Sequence, residues 1–291
     1  MKKNFFMPVH IKIAAYWLMS IMVVCGCKGK PTQQEDKIYS RHLQEHIKLT
    51  ILNTPLPDDK SKLNLLLLND GQELAQLRIT ETLDSLFSRD LIHPLLVVGI
   101  HTNNRMQEYG VAGSPDYKKN GTRADKYSAF IDNELYAFIK KKAGVRKFNS
   151  VVIAGCSLGG LSAMDIAWNN PDKIDKVGVF SGAFWMRDLD VNDKAYSDEQ
   201  NRILLCKIRT SRKKPHLKYW FYAGDQEEKS DRDKDGIIDV VDDTRDLVTI
   251  LKNKGIASNA DIVYNESASG THDYKTWSRE FPAFLTWAFG R

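Results

Sequence analysis

From residue 45 onward, short apolar runs alternate with amphipathic stretches along the chain. Residues 47–52 alternate with period two, which predicts an edge strand. Residues 65–68 and 95–100 are continuous apolar runs bounded by turn residues, the pattern of strands buried in a parallel sheet. Residues 151–154, 177–180, 219–222 and 262–264 repeat that signature. Between these runs, Tyr127, Ile131, Leu135 and Phe138 recur at helical spacing, and Leu247, Ile250 and Leu251 mark a second helix that Gly255 would stop. Residues 277–289 read as a C-terminal helix rich in aromatics. Such alternation predicts a single-domain α/β fold over residues 40–291, with a mostly parallel central sheet and helices on both faces.

The N-terminus reads as an address. Lys2 and Lys3 precede an uncharged apolar run over 13–25, the size of a secretory h-region and short for a bilayer span of ~20 residues. The run ends in Val24-Cys25-Gly26-Cys27, which resembles the bacterial lipobox. That resemblance implies a lipoprotein signal peptide over 1–26 and an acylated Cys27. It also implies an exported protein, lipid-anchored in the bacterial cell envelope on its periplasmic or surface side. Residues 27–39 are polar, with Gly29, Pro31, Gln33 and Gln34, and are expected to form a flexible tether.

Composition narrows the class. With 42% hydrophobic and 27% charged residues, the 291-residue chain is neither disordered nor a polytopic membrane protein. The formal charge of +5 includes Lys2, Lys3 and Lys12 in the N-terminal segment, leaving 39 basic against 37 acidic side chains in the rest. A net of +2 gives no reason to expect a nucleic-acid partner. Four Cys exclude a disulfide scaffold, and only Cys156 and Cys206 belong to the folded part.

The chemistry centres on residues 151–160, where a buried run leads through Gly155-Cys156-Ser157-Leu158-Gly159 into a helical pattern. This strand–GxSxG–helix arrangement is a nucleophile elbow. The turn strains the Ser backbone, demands residues without bulk beside it, and sets the hydroxyl above a helix N-terminus. A nucleophilic Ser needs a base, and the base needs an orienting carboxylate, in the chain order Ser, acid, His. The strand over 219–222 leads through Gly224 into Asp225-Gln226-Glu227-Glu228, and beyond it the one His is His272. His101 also ends a strand and could line the cleft, but chain order disfavours it as the base.

Several motifs spread along the body resemble the esterase D / enterochelin-esterase-like branch of the α/β-hydrolases, which includes feruloyl and acetyl-xylan esterases and mycolyltransferases. They are Asp70-Gly71-Gln72 after a strand, Arg105 with Glu108-Tyr109, Asn133-Glu134-Leu135, Ser181-Gly182-Ala183-Phe184-Trp185, and His272 with Tyr274 and Trp277. The resemblance implies a triad of Ser157, Glu227 and His272, with Asp225 and Glu228 as alternative acids. It implies an oxyanion hole from the backbone N–H groups of Gln72 and Leu158, and cleft roles for Arg105 and Trp185. It points to a serine carboxylic-ester hydrolase, with no organic cofactor, acting on a small ester or acylated oligosaccharide such as an acetyl or feruloyl ester. A siderophore trilactone is the alternative substrate. A non-catalytic lipoprotein that binds glycan or siderophore in the same cleft is the alternative of another class.

One motif stands outside this scheme. Asp231, Asp233, Asp235, the Ile237 carbonyl, Asp239 and Asp242 fall at positions 1, 3, 5, 7, 9 and 12 of a calcium loop, with Gly236 at position 6. Asp at position 12 resembles dockerin-type loops, and the reading is a structural Ca²⁺ that stiffens the segment carrying the catalytic acid.

Overall fold

The computed structural model describes residues 29–291, so the expected signal peptide and Cys27 lie outside the described residues. One sheet is built from β1 (Thr32–Ser40), β2 (Glu45–Asn53), β3 (Asn64–Asn69), β4 (Leu95–Ile100), β5 (Val151–Cys156), β6 (Lys176–Phe180), β7 (Lys218–Gly224) and β8 (Ile262–Ser267). Their order is β1-β2-β4-β3-β5-β6-β7-β8. β2 runs antiparallel to both β1 and β4, while β4, β3 and β5 to β8 are all parallel.

The helices are α1 (Ile79–Ser88), α2 (Arg105–Glu108), α3 (Ala124–Ala129), α4 (Tyr136–Ala143), α5 (Leu158–Asn169), α6 (Asp198–Asn201), α7 (Ile203–Thr210), α8 (Asp239–Asn253) and α9 (Tyr274–Phe289). A π-helical turn over Phe130–Leu135 joins α3 to α4. None of the helices among the described residues is long and apolar enough to cross a membrane.

The continuous apolar runs follow from burial on both sides. Leu65 and Leu67 of β3 pack in one core with residues of α4, α5, α7 and α8, while Leu66 and Leu68 pack in the other with α1 and α9. The pleat sends successive side chains to opposite faces, so a strand covered on both needs no polar alternation. α1 shows the complementary pattern. Ile79, Thr82, Leu83, Leu86 and Phe87 are its buried stripe, at spacings of three and four. Among the described residues the strands form one sheet with a core on each face, the architecture of a single folding unit.

Two expectations change. The edge strand is β1, not β2, which is paired on both sides. The polar stretch read as a tether over 27–39 therefore enters the sheet from Thr32 onward, paired residue by residue from Thr32 with Asn53 to Ser40 with Glu45. Its polarity reflects its place: most of β1 is exposed, and backbone hydrogen bonds hold it. Ser40 anchors its end, donating to Glu134 of the π-helical turn at 2.6 Å.

Candidate active site

β5 ends at Cys156 and α5 begins at Leu158, so Ser157 alone makes the turn, with φ 56° and ψ −124°. A non-glycine residue there is strained and must be held. The Ser157 amide donates to the Phe180 carbonyl at 2.9 Å, and the Ala183 amide donates to the Ser157 carbonyl at 3.2 Å. Gly155 permits the turn: a Cβ on it would stand 2.4 Å from the Gly159 carbonyl carbon. Cys156 and Cys206, the cysteines among the described residues, are free, and burial pushes the Cys156 thiol well up, which leaves it inert beside the Ser.

The carboxylate and the imidazole meet as a pair. The Glu227 side chain is fully buried, and its Oε2 lies 2.8 Å from Nδ1 of His272. Its Oε1 accepts from the Gly224 amide and from the Ser181 hydroxyl, each at 2.6 Å. Ser181 in turn accepts from the indole N–H of Trp277 at 2.8 Å. The His272 ring stands edge-on to Trp277 with centroids 5.0 Å apart and remains 39% exposed. With Nδ1–H given to Glu227, Nε2 is the nitrogen free to take a proton. Ser157 is bonded to Phe180, and the next residue, Ser181, is bonded to Glu227, so elbow and pair both stand at the C-terminal ends of β5, β6 and β7.

The other candidate acids face elsewhere. Glu228 accepts from the Val240 amide at 2.9 Å, capping α8, and burial raises its carboxyl. Asp225 has a buried Oδ1 and no contact with His272 among the described residues.

The turn after β3 is clamped from behind. Asp70 is buried in the left-handed region at φ 58°, and a Cβ on Gly71 would stand 2.3 Å from the Gly99 carbonyl carbon. Tyr109 accepts from the Asp70 amide at 2.9 Å, and Tyr127 donates to Asn69 at 2.7 Å. Arg105, expected in the substrate cleft, forks onto the Asp70 carboxylate at 2.9 and 3.2 Å and donates to the Cys156 carbonyl at 3.3 Å. It thus ties this turn to the elbow. Asp70 also approaches the start of α5, where a Cβ on Gly159 would meet its Oδ2 at 2.8 Å. The Gln72 and Leu158 amides donate to no acceptor among the described residues.

Trp185 is 36% exposed, two residues beyond the Ala183 amide that holds Ser157. His101 is turned toward β2, its Nε2 2.8 Å from the Thr50 hydroxyl. Ser181 is the participant that the sequence quoted only as part of a loop motif; its bond to Glu227 spans 46 positions and has no local signal.

The acidic loop is partly assembled. Carboxylate oxygens of Asp231, Asp233 and Asp235 lie within 4.8 Å of one another. Gly236 turns at φ 91° with its amide on Asp231 Oδ2, and the Ile237 amide donates to Asp235. Burial and the acids around it, Asp246 and Asp233 first, hold the Asp242 carboxyl up to about 6. Asp239 departs from the expected set: its Oδ1 accepts from the Arg232 amide at 2.8 Å and its Oδ2 lies 3.2 Å from the Arg232 guanidinium. Arg232 also pairs with Asp198 and with the buried Asp243, which joins the loop to α6 and α8.

Comparison with known proteins agrees with this architecture. An uncharacterised protein of Bacillus subtilis, YbbA, is 23% identical over 227 residues, 76% of this chain and 84% of that protein. Among solved structures, the enterobactin esterase FES of Shigella flexneri superposes with a TM-score of 0.67 at 21% identity. The match covers 89% of this chain but only 60% of that one. A ferulic acid esterase superposes at 0.66 and 15% identity, over 89% of this chain and 98% of its own. The sequence itself matches one family over residues 40–288, nearly the whole described body. Strand order, strained elbow and family match converge: the chain belongs to the Putative esterase family and shares the fold of these esterases.

Proposed function

We propose that the chain hydrolyses esters through Ser157, His272 and Glu227. The observation that carries this reading is the 2.8 Å bond from buried Glu227 to His272, at the sheet edge where Ser157 turns. Ser157 Oγ attacks the ester carbonyl while Nε2 of His272 takes its proton. The carbonyl oxygen becomes an oxyanion held by the Gln72 and Leu158 amides. The tetrahedral intermediate collapses, the C–O bond to the alcohol breaks, and His272 returns the proton to the departing oxygen. Water, deprotonated by the same nitrogen, then attacks the acyl-enzyme and releases the acid and free Ser157. Glu227 orients the ring and stabilises the imidazolium throughout.

Charge favours a neutral substrate. The segments that leave the C-terminal ends of the parallel strands, residues 70–78, 101–123, 181–202, 225–243 and 268–275, hold 19 acidic against 12 basic side chains. A catecholate siderophore holding ferric iron is anionic and is repelled by such an end, whereas an acetyl or feruloyl ester of a sugar is not. Acyl sugars are therefore the favoured class. The body from residue 28 should hydrolyse p-nitrophenyl acetate, and Ser157→Ala should lose at least ~10³-fold with unchanged melting. Equal activity in both proteins would place the chemistry elsewhere.

The segment before the body fits a lipoprotein signal over 1–26 with Cys27 acylated, which would hold the enzyme on a membrane of the cell envelope. We also propose Ca²⁺ for the loop of Asp231, Asp233 and Asp235, where three carboxylates converge and the Oδ1 of Asp231 is buried without a partner. The Ile237 carbonyl and Asp242 complete the set, and Asp239 serves only if it leaves Arg232. Excess EDTA should lower the melting temperature by several degrees and Ca²⁺ should restore it. An unmoved transition would remove the ion from the picture.

A further inference from the structure

The net charge of +2 conceals a separation of charge along the strand direction. The segments leading into the N-terminal ends of β3 to β8, residues 54–63, 89–94, 140–150, 169–176, 211–218 and 252–261, hold 16 Lys and Arg against six Asp. Because β3 to β8 are parallel, all six segments lie at the end of the sheet opposite Ser157. Strands of five to seven residues put about 20 Å between the two ends. Four of the six acids at the basic end are engaged locally: Asp59, Asp175 and Asp261 accept from the backbone amides of Ser61, Val151 and Ser258, and Asp90 pairs with Arg291. Lys141, Arg146, Lys147, Arg212 and Lys213 are exposed, and among the described residues no carboxylate pairs with them.

The chain leaves the body at the same end. Thr32 pairs with Asn53, which pairs with Leu96 near the start of β4, and a Cβ on Gly29 would touch Pro55 at 3.4 Å. Leu56, 53% exposed between Pro55 and Pro57, stands beside that point. We infer that this basic end docks on an anionic phospholipid surface, so that the enzyme lies with Ser157, His272 and the acidic loops facing away from the membrane. The anionic leaflet attracts the lysines, Leu56 reaches into the headgroup boundary, and the same surface repels the opposite end. A nucleic acid would meet the same charges, but the position of the first described residues favours a surface on which the preceding segment can sit.

The inference takes its partner, a membrane, from the anchor reading. Its affinity is separate, because the body from residue 28 carries no lipid. That body should float with vesicles of phosphatidylcholine containing about a third phosphatidylglycerol, and not with phosphatidylcholine alone; about 0.5 M salt should release it. Combining Lys141→Glu, Arg146→Glu, Lys147→Glu, Lys213→Glu and Lys214→Glu should weaken binding at least tenfold, with esterase activity and melting unchanged. Reversing Lys118, Lys119 and Lys194 at the acidic end should not. Amide exchange on vesicle binding should slow at 140–150 and 211–218 and not at 225–243. Equal binding by the five-fold variant, no preference for anionic vesicles, or binding to duplex DNA with none to vesicles would each overturn the proposal. A full chain that stays on membranes through Cys27 while its body fails to bind would retain the anchor and reject the docking face.

Discussion

Glu227 and Glu228 are neighbours in sequence and have opposite surroundings. Glu227 is buried on His272, Ser181 and the Gly224 amide, whereas Glu228 caps the first turn of α8. Glu227→Gln keeps the volume but turns a carboxylate into an amide that stabilises the wrong imidazole tautomer. The expected fall in kcat is ~10³–10⁴-fold with little change in KM. Glu228→Gln should leave kcat within about twofold and cost about 1 kcal/mol through the weakened cap. A comparable loss in both would assign the acid wrongly. The strand pattern alone narrowed the acid to a four-residue window, and only the family resemblance singled out Glu227 within it, because the choice depends on how the chain turns after Gly224. The clamp made by Arg105 was not legible for a related reason: its partner Asp70 lies 35 positions away, and an exposed-looking Arg carries no mark of a buried carboxylate beneath it.

Among the elements, the turn after β3 shows how distant motifs form one device. Asp70, Arg105 and Tyr109 hold a left-handed residue, and Arg105 ties it to the elbow through the Cys156 carbonyl. Arg105→Ala would leave the Asp70 carboxylate buried with only Gln72 Nε2 nearby, at 3.2 Å. Destabilisation of about 3 kcal/mol is expected. Since the turn also carries the Gln72 amide, kcat should fall more than KM rises, by about 10- to 100-fold. Arg105→Lys restores the charge without the fork and should recover only part of either loss. Denaturant melts and steady-state kinetics on the two variants separate a clamp from a substrate contact, which would show mainly in KM. The interior strands were legible because burial on both faces leaves an apolar run, as at Leu65–Leu68. β1 was not, because a strand held by its backbone at a wet edge has the composition of a linker.

At the scale of the molecule, a net charge of +2 excludes a generally basic surface but says nothing of how charge is distributed. The parallel sheet sorts acids to the end that bears Ser157 and bases to the other. An acidic mouth lowers the local concentration of anionic esters and leaves neutral ones untouched. Salt shortens the reach of that field, from a Debye length of about 30 Å at 0.01 M to about 3 Å at 1 M. For an anionic ester such as p-nitrophenyl hemisuccinate, kcat/KM should therefore rise about two- to fivefold between low and high salt. For neutral p-nitrophenyl butyrate it should stay flat. Saturating Ca²⁺ would remove part of the negative charge and shrink the rise, which tests the ion loop by a route independent of stability. If both esters respond alike, salt acts on the protein rather than on the approach of substrate. If neither responds, the acidic segments lie too far from Ser157 for their field to select, and charge gives no ground for favouring neutral acyl sugars.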